Sequence, residues 1–193
     1  MNLVICDVDE VVLQYFTYLK KQLNPAQFAL EPDGFDLKIK DLNTGQWLEQ
    51  EKSDQISDEI LLKVVSTQEA ISGAIRCLTQ LSENYEIVFL TNVREEFLEL
   101  RKDCLKRHGL PFCVVENVGG KGHSVSRIIQ DIRPERVSVI DDSIRQLINI
   151  RKHVPDVDLV RAVLTTETQS TAENDQFHEA STWDQILNWI ERA

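Results

Sequence analysis

The stretch Leu3-Val4-Ile5-Cys6-Asp7-Val8-Asp9-Glu10-Val11-Val12-Leu13 sets a physical problem. Four apolar residues run into two aspartates separated by one valine, and the chain then turns apolar again. Aspartate is a poor strand former. An ionised aspartate is also rarely fully buried without a partner. In a parallel α/β sheet, ligands bind outside the carboxyl ends of the strands. A buried strand ending in two acids therefore reads as one that delivers carboxylates to a site.

The rest of the chain supports such a sheet. "NLVIC" is a continuous apolar run, the pattern of a strand covered on both faces. Further strands are predicted at "EIVFL" (86–90), "FCVVE", "RVSVI" and "VDLVRAVL". Helices are predicted between them: over 12–23, after an N-cap at Thr67, over 94–108, from a Ser124 cap, through Leu147, and over a last amphipathic segment carrying Trp183, Ile186, Leu187 and Ile190. Gly109 and Pro111 stop the helix over 94–108. This alternation predicts an α/β, Rossmann-like parallel sheet with helices on both faces. Residues 24–66 break the rhythm and are too many for a simple crossover. They read as an insertion, a short helix included, between core segments 1–23 and 67–193. Residues 165–181 are polar and read as a solvated loop.

Composition narrows the function. The chain has 193 residues, of which 42% are hydrophobic and 27% charged, with a formal net charge of −11. A nucleic-acid or anionic-membrane partner demands a basic face, so neither is expected. No apolar run approaches the roughly 20 residues of a membrane span. The first apolar run is short for a signal peptide and lacks a basic leader. Cys6, Cys77, Cys104 and Cys113 form no CxxC pair and lie in apolar surroundings. They read as reduced core thiols of a cytoplasmic protein. No HxH or HExxH spacing suggests zinc.

The polar residues fall at one end of the central strands. Asp7 and Asp9 end the first, Thr91 and Asn92 the second, and Asp141 and Asp142 the fourth; Lys121 stands in the loop before the intervening helix. Carboxylates gathered this closely repel unless a cation sits among them. Oxygen ligands with no His or Cys partner point to Mg2+. A hydroxyl, a backbone amide and an ammonium group suit phosphate oxygens. One carboxylate can attack phosphorus, and another can move the leaving-group proton.

At this point the sequence resembles the haloacid-dehalogenase-like (HAD) superfamily of phosphohydrolases. Four ordered stretches carry the resemblance: "VICDVDEVV" for strand-DxDx[TV], "IVFLTN" for strand-[ST], "GGKGHS" for the lysine before a helix, and "VSVIDDS" for strand-DD. The resemblance implies a phosphatase with Asp7 as nucleophile and Asp9 as general acid/base. It implies a magnesium site from Asp7, the carbonyl of Asp9, and Asp142, with Asp141 close by. Thr91, Asn92 and Lys121 would bind the phosphoryl group of a small phosphate ester. The insertion matches the family's cap position and is expected to be small and mostly helical.

There are departures. Glu10 stands where many members have glycine, and its charge is expected near the entrance, with an effect on substrate choice. Val11 stands where many have threonine. Asp9 favours phosphate-ester hydrolysis over dehalogenation, because a halide leaves without a proton. A phosphomutase would keep the same residues. A receiver-type signalling module is opposed by the order of the acids and by a third strand ending in Val-Glu-Asn. An inactive, partner-binding member is opposed by the complete reactive set. His123 reads as a loop residue near Lys121, and Trp47 and Phe35 as residues of the insertion's own core or its pocket lining.

Overall fold

A computed structural model describes every residue except 34–35, 166–167, 169–176 and 193. In chain order the elements are β1 (Asn2–Cys6), α1 (Phe16–Gln22), β2 (Phe28–Asp33), β3 (Asp36–Asp41), β4 (Gln46–Trp47), α2 (Gln50–Val64), α3 (Ala74–Leu81) and β5 (Tyr85–Thr91). Then come α4 (Glu95–Arg107), β6 (Cys113–Glu116), α5 (Gly122–Ile132), β7 (Arg136–Asp141), α6 (Ile144–His153), β8 (Asp158–Ala162), β9 (His178–Ala180) and α7 (Trp183–Arg192).

Six strands form one parallel sheet in the order β6-β5-β1-β7-β8-β9. The chain leaves β1 for β5 on one side and returns past it to β7 on the other, so β1 lies at the point where strand order reverses. That is where such a sheet opens a crevice at its carboxyl edge. Alternation along the strands divides the core into two layers. Val4 and Cys6 of β1 pack with Phe89, Ile140 and Val160 against Leu78 of α3, Leu105 of α4 and Ile186 of α7. Leu3 and Ile5 pack with Val88, Leu90, Val139 and Leu159 against Val125 of α5 and Leu147 of α6. Burying each such side chain contributes about 1.5–3 kcal/mol, which fixes the register of β1 and hence the position of Asp7.

The insertion differs from expectation. It is not mostly helical: β2, β3 and β4 form a three-stranded antiparallel sheet beside α2. The physical reason is a period of two around Ile39, which is fully buried while Lys38 and Lys40 flank it. Asp41 Oδ1 accepts from the N–H groups of Asn43 and Thr44, and Gly45, at φ 69°, closes the β3–β4 turn. Leu19 and Leu23 from the α1 region join Ile39, Ile60 and Val64 in a core of their own. Trp47 is outside that core and exposed, with Lys40 Nζ 5.3 Å from its ring centroid. Phe35 lies outside the described residues.

Other boundaries also moved. The helix expected over 12–23 covers only Phe16–Gln22. Residues 8–13 instead make a tight turn, with Val12 N donating to Val8 O, because Val11, Val12 and Leu13 are wholly buried in the main core. Thr67 caps no helix N-terminus; its hydroxyl instead donates to Val64 O at the end of α2. Ile71 N donates to Val12 O and Leu13 bridges Ala70, so α3 waits until after Gly73, whose φ is 86°. Ser124 lies inside α5, with Lys121 in the capping place. Ser143 does cap α6, accepting from Gln146 N. Within 165–181, the described part is not a simple loop: β9 pairs with β8 and Thr168 is buried. Cys6, Cys77 and Cys104 are buried, but Cys113 is exposed at the start of a strand. No helix among the described residues is long and apolar enough to cross a membrane.

Candidate active site

Asp7 follows β1 directly, and its N–H donates to Ile140 O at 2.9 Å, so the β1–β7 ladder holds it in place. Asp141 ends β7 and is buried. Lys121 Nζ reaches both acids, 2.6 Å from Asp7 Oδ1 and 2.7 Å from Asp141 Oδ2. Asp142 completes a cluster in which one carboxylate oxygen from each of Asp7, Asp141 and Asp142 lies within 4.8 Å of the others.

The electrostatics follow from three acids sharing one buried cation. Burial pushes the Asp141 carboxyl up to about 6 against the pull of Lys121. Burial, with the charges of Asp141 and Asp7 beside it, pushes Asp142 well above the usual carboxylate range. Burial alone would lower Lys121, but Asp141 and Asp7 outweigh it and hold the ammonium group firmly protonated. The set is short of positive charge and offers only hard oxygen ligands, which is the donor chemistry that suits a magnesium ion. The three carboxylates can therefore hold a metal.

Lys121 is placed by a fitted loop. Its N–H donates to Gln146 Oε1 at 2.8 Å, and Gln146 Nε2 donates to Gly119 O at 3.0 Å. Asn92 Nδ2 also donates to Gly119 O, while Asn92 Oδ1 accepts from Asn117 Nδ2, each at 2.9 Å. Asn92 thus ties the end of β5 to the lysine loop. Thr91, beside it, is buried, and its Oγ1 accepts from Val93 N at 3.4 Å. His123 is not a loop residue but lies in the first turn of α5, facing His153 with ring centroids 4.3 Å apart.

Asp9 stands apart from the three-acid cluster. Arg101 Nη2 donates to its two oxygens at 2.7 and 3.0 Å, and Gln68 Nε2 lies 3.5 Å from Oδ1. Burial raises the Asp9 carboxyl, Arg101 opposes the rise, and Asp7 adds to it.

Glu10 is not a charge at the entrance. It is buried at φ 59°, and its Oε1 accepts from Tyr15 N and Phe16 N at 2.8 and 2.7 Å. Thr165 Oγ1 donates to the other oxygen at 2.6 Å. Its carboxylate therefore serves the first turn of α1.

Arg101, Gln68, Asn117, Gln146 and Asn149 carry no motif, and the sequence reading passes over them. Arg101 had one usable signal. It lies four residues after Phe97 and three and four before Cys104 and Leu105, all of them buried on α4. An arginine on that stripe must find a buried acid.

No family model and no curated protein matches the sequence. Solved structures do match the fold. A predicted phosphoglycolate phosphatase from Haemophilus somnus superposes with a TM-score of 0.71 at 10% identity, over 97% of each chain. A conserved haloacid dehalogenase-like protein of unknown function from Agrobacterium tumefaciens gives 0.70 at 15% identity, over 98% of this chain and 97% of that one. A defluorinating L-2-haloacid dehalogenase gives 0.62 at 12% identity, over 100% of this chain and 96% of that one. At such identities the likeness shows the fold: this chain has the haloacid-dehalogenase-like hydrolase fold.

Proposed function

We propose that this protein is a magnesium-dependent phosphatase that hydrolyses a small phosphate monoester through an aspartyl-phosphate on Asp7. The observation that carries the reading is the Asp7–Lys121–Asp141–Asp142 cluster at the carboxyl ends of β1 and β7. Asp7, Asp142 and the main-chain carbonyl of Asp9, with Asp141 adjacent, would hold the magnesium ion. When bound, that ion supplies the positive charge that lets an anionic phosphoryl group approach an anionic carboxylate.

An Asp7 carboxylate oxygen forms a bond to phosphorus as the ester P–O bond breaks. Asp9 gives its proton to the departing alkoxide. Asp9 then takes a proton from water as the water oxygen attacks the same phosphorus, which releases phosphate and restores Asp7. Lys121 and the Thr91 hydroxyl would bind the phosphoryl oxygens, while Asn92 would hold the lysine loop in register. The insertion over 24–66 would act as the cap, and α1, placed with the core by the sequence, packs with it through Leu19. Four unpaired cysteines support a cytoplasmic location.

Dehalogenation is the second reading, because one similar structure is named for it. Asp9 favours the phosphatase, since an alkoxide needs a proton and a halide does not. A phosphomutase would use the same groups and return the phosphoryl group to the substrate.

The test is phosphate release from an aryl phosphate, with and without magnesium, in wild type and Asp7→Asn, alongside halide release from 2-haloacids. Magnesium-dependent phosphate release that is lost in Asp7→Asn supports the proposal. Halide release without phosphate release would replace it by the dehalogenase, and rearranged ester without free phosphate by the mutase.

A further inference from the structure

We infer that Arg101 is a positioning residue for the Asp9 carboxylate, and that with Gln68 it ties the placement of that carboxylate to the two linkers joining the α1–α2 segment to the main sheet.

Arg101 is fully buried, whereas the Asp9 side chain keeps 27% of its surface exposed. The cation therefore grips the carboxylate from its protein side and leaves an open side. A carboxylate has about four lone-pair directions. Arg101 Nη2 and Gln68 Nε2 reach its oxygens without surrounding them. Among the described residues no other hydrogen bond meets those oxygens, so the remaining directions are open to a proton donor or acceptor on the exposed side.

The grip continues outward. Arg101 Nη1 donates to Gln68 Oε1 at 2.8 Å, and Gln68 Nε2 donates to Gln14 O at 3.1 Å. Gln14 N donates to Glu69 O at 3.0 Å. Gln14 lies just before α1, and Gln68 and Glu69 just after α2. His108 Nε2 lies 2.8 Å from Gln68 O, and Gln68 is itself buried. One network, buried at Arg101 and Gln68, thus spans Asp9, the linker into α1, the linker out of α2, and the end of α4. Movement of the α1–α2 segment would pull on Gln68 and, through Arg101, on Asp9. A buried arginine is costly to desolvate, and Arg101 Nε finds no partner among the described residues. The cation's charged partner is Asp9, so the contact with Asp9 is what offsets the cost of burying it.

This inference rests on Asp9 acting as acid and base, so its test has one arm that needs no activity. Crystal structures of wild type and Arg101→Gln are compared first. The Asp9 carboxylate should leave its wild-type position in the variant. Its staying there would overturn the proposal whether or not the protein is a phosphatase. The second arm measures release from an alkyl phosphate and from an aryl phosphate with a good leaving group. Arg101→Gln should lower kcat for the alkyl ester about tenfold or more and spare the aryl ester, because only the alkyl ester depends on proton donation for its departure. Arg101→Lys should recover part of the loss. In an Asp9→Asn background, Arg101→Gln should add nothing. Equal losses on both esters that add to those of Asp9→Asn would overturn the proposal. If Arg101→Gln does not fold, Arg101→Lys takes its place in both arms, with a displaced carboxylate and a smaller loss confined to the alkyl ester expected. A wild type inactive on every ester would refute the phosphatase and leave the crystallographic arm decisive for Arg101.

Discussion

Lys121 Nζ bridges Asp7 and Asp141, 2.6 Å from one carboxylate and 2.7 Å from the other, with its side chain only 4% exposed. One ammonium group therefore compensates a cluster of three acids at the carboxyl ends of β1 and β7. Removing one member of a buried ion pair costs about 3–5 kcal/mol, because the partner is left charged and desolvated. Lys121→Met is expected to lose stability on that scale without magnesium. Urea unfolding in a chelator, compared with saturating magnesium, checks it. A bound cation should recover part of the loss, since it meets the same carboxylates.

The acids also set a pH dependence. Asp141 is raised to about 6 and Asp142 well above its usual range, in each case chiefly by burial. A carboxyl raised on folding holds its proton more tightly in the folded chain. For Asp141 that stabilising effect is complete below about pH 4, the unfolded value, and is lost as pH rises through about 6, and Asp142 acts in the same direction. The metal-free protein should therefore melt lower at about pH 7 than at about pH 5. Asp142→Asn should flatten the slope. Magnesium at about 100 times its Kd should add about 2.7 kcal/mol at the higher pH.

The legible parts of the molecule are those where one physical pattern dominates. Runs rich in apolar residues located β1, β5, β6, β7 and β8, and acids after β1 and β7 located the cluster around Asp7. The turn after Asp9 was illegible because its shape depends on a positive φ at Glu10 and on hydrogen bonds to Tyr15, Phe16 and Thr165. Local pattern sees Val11-Val12-Leu13 as an apolar face but not as a plug in the main core. The insertion's strands were masked by their charge, with Ile39 as the fully buried residue among lysines and aspartates. Arg101 was hidden for another reason: its partner is 92 positions away, and nothing local says which acid it meets.

Glu10 gives a prediction opposite to a gating role. Glu10→Gly relieves the positive φ but removes acceptors from Tyr15 N, Phe16 N and Thr165 Oγ1. Hydrogen bonds to a charged group contribute about 1.5–3 kcal/mol each. The variant should be destabilised by about 2 kcal/mol or more, with the ranking of phosphate esters unchanged. Glu10→Gln keeps an oxygen for the two amides and should lose less. Parallel melting curves and ester panels on both variants separate the two roles. A changed ester ranking with unchanged melting would restore the gate.

Gly122 offers a sharper test of the lysine loop. A Cβ there would lie 2.7 Å from the main-chain oxygen of Asn149, and it would also strike the His153 ring. The main chain of α6 cannot turn aside as a side chain can, so α5 would have to shift, and Lys121 stands immediately before it. Gly122→Ala should cost about 1–3 kcal/mol from overpacking and should also depress phosphate release by moving Nζ from Asp7. Gly109→Ala is the matched control. Its φ is 78°, but a Cβ there meets open space at the far end of α4. It should cost about 1–2 kcal/mol from left-handed backbone alone and leave phosphate release intact. Melting temperatures and release rates measured on both variants decide the matter: equal fractional activity at equal loss of stability would mean that the position of Lys121 does not control the reaction.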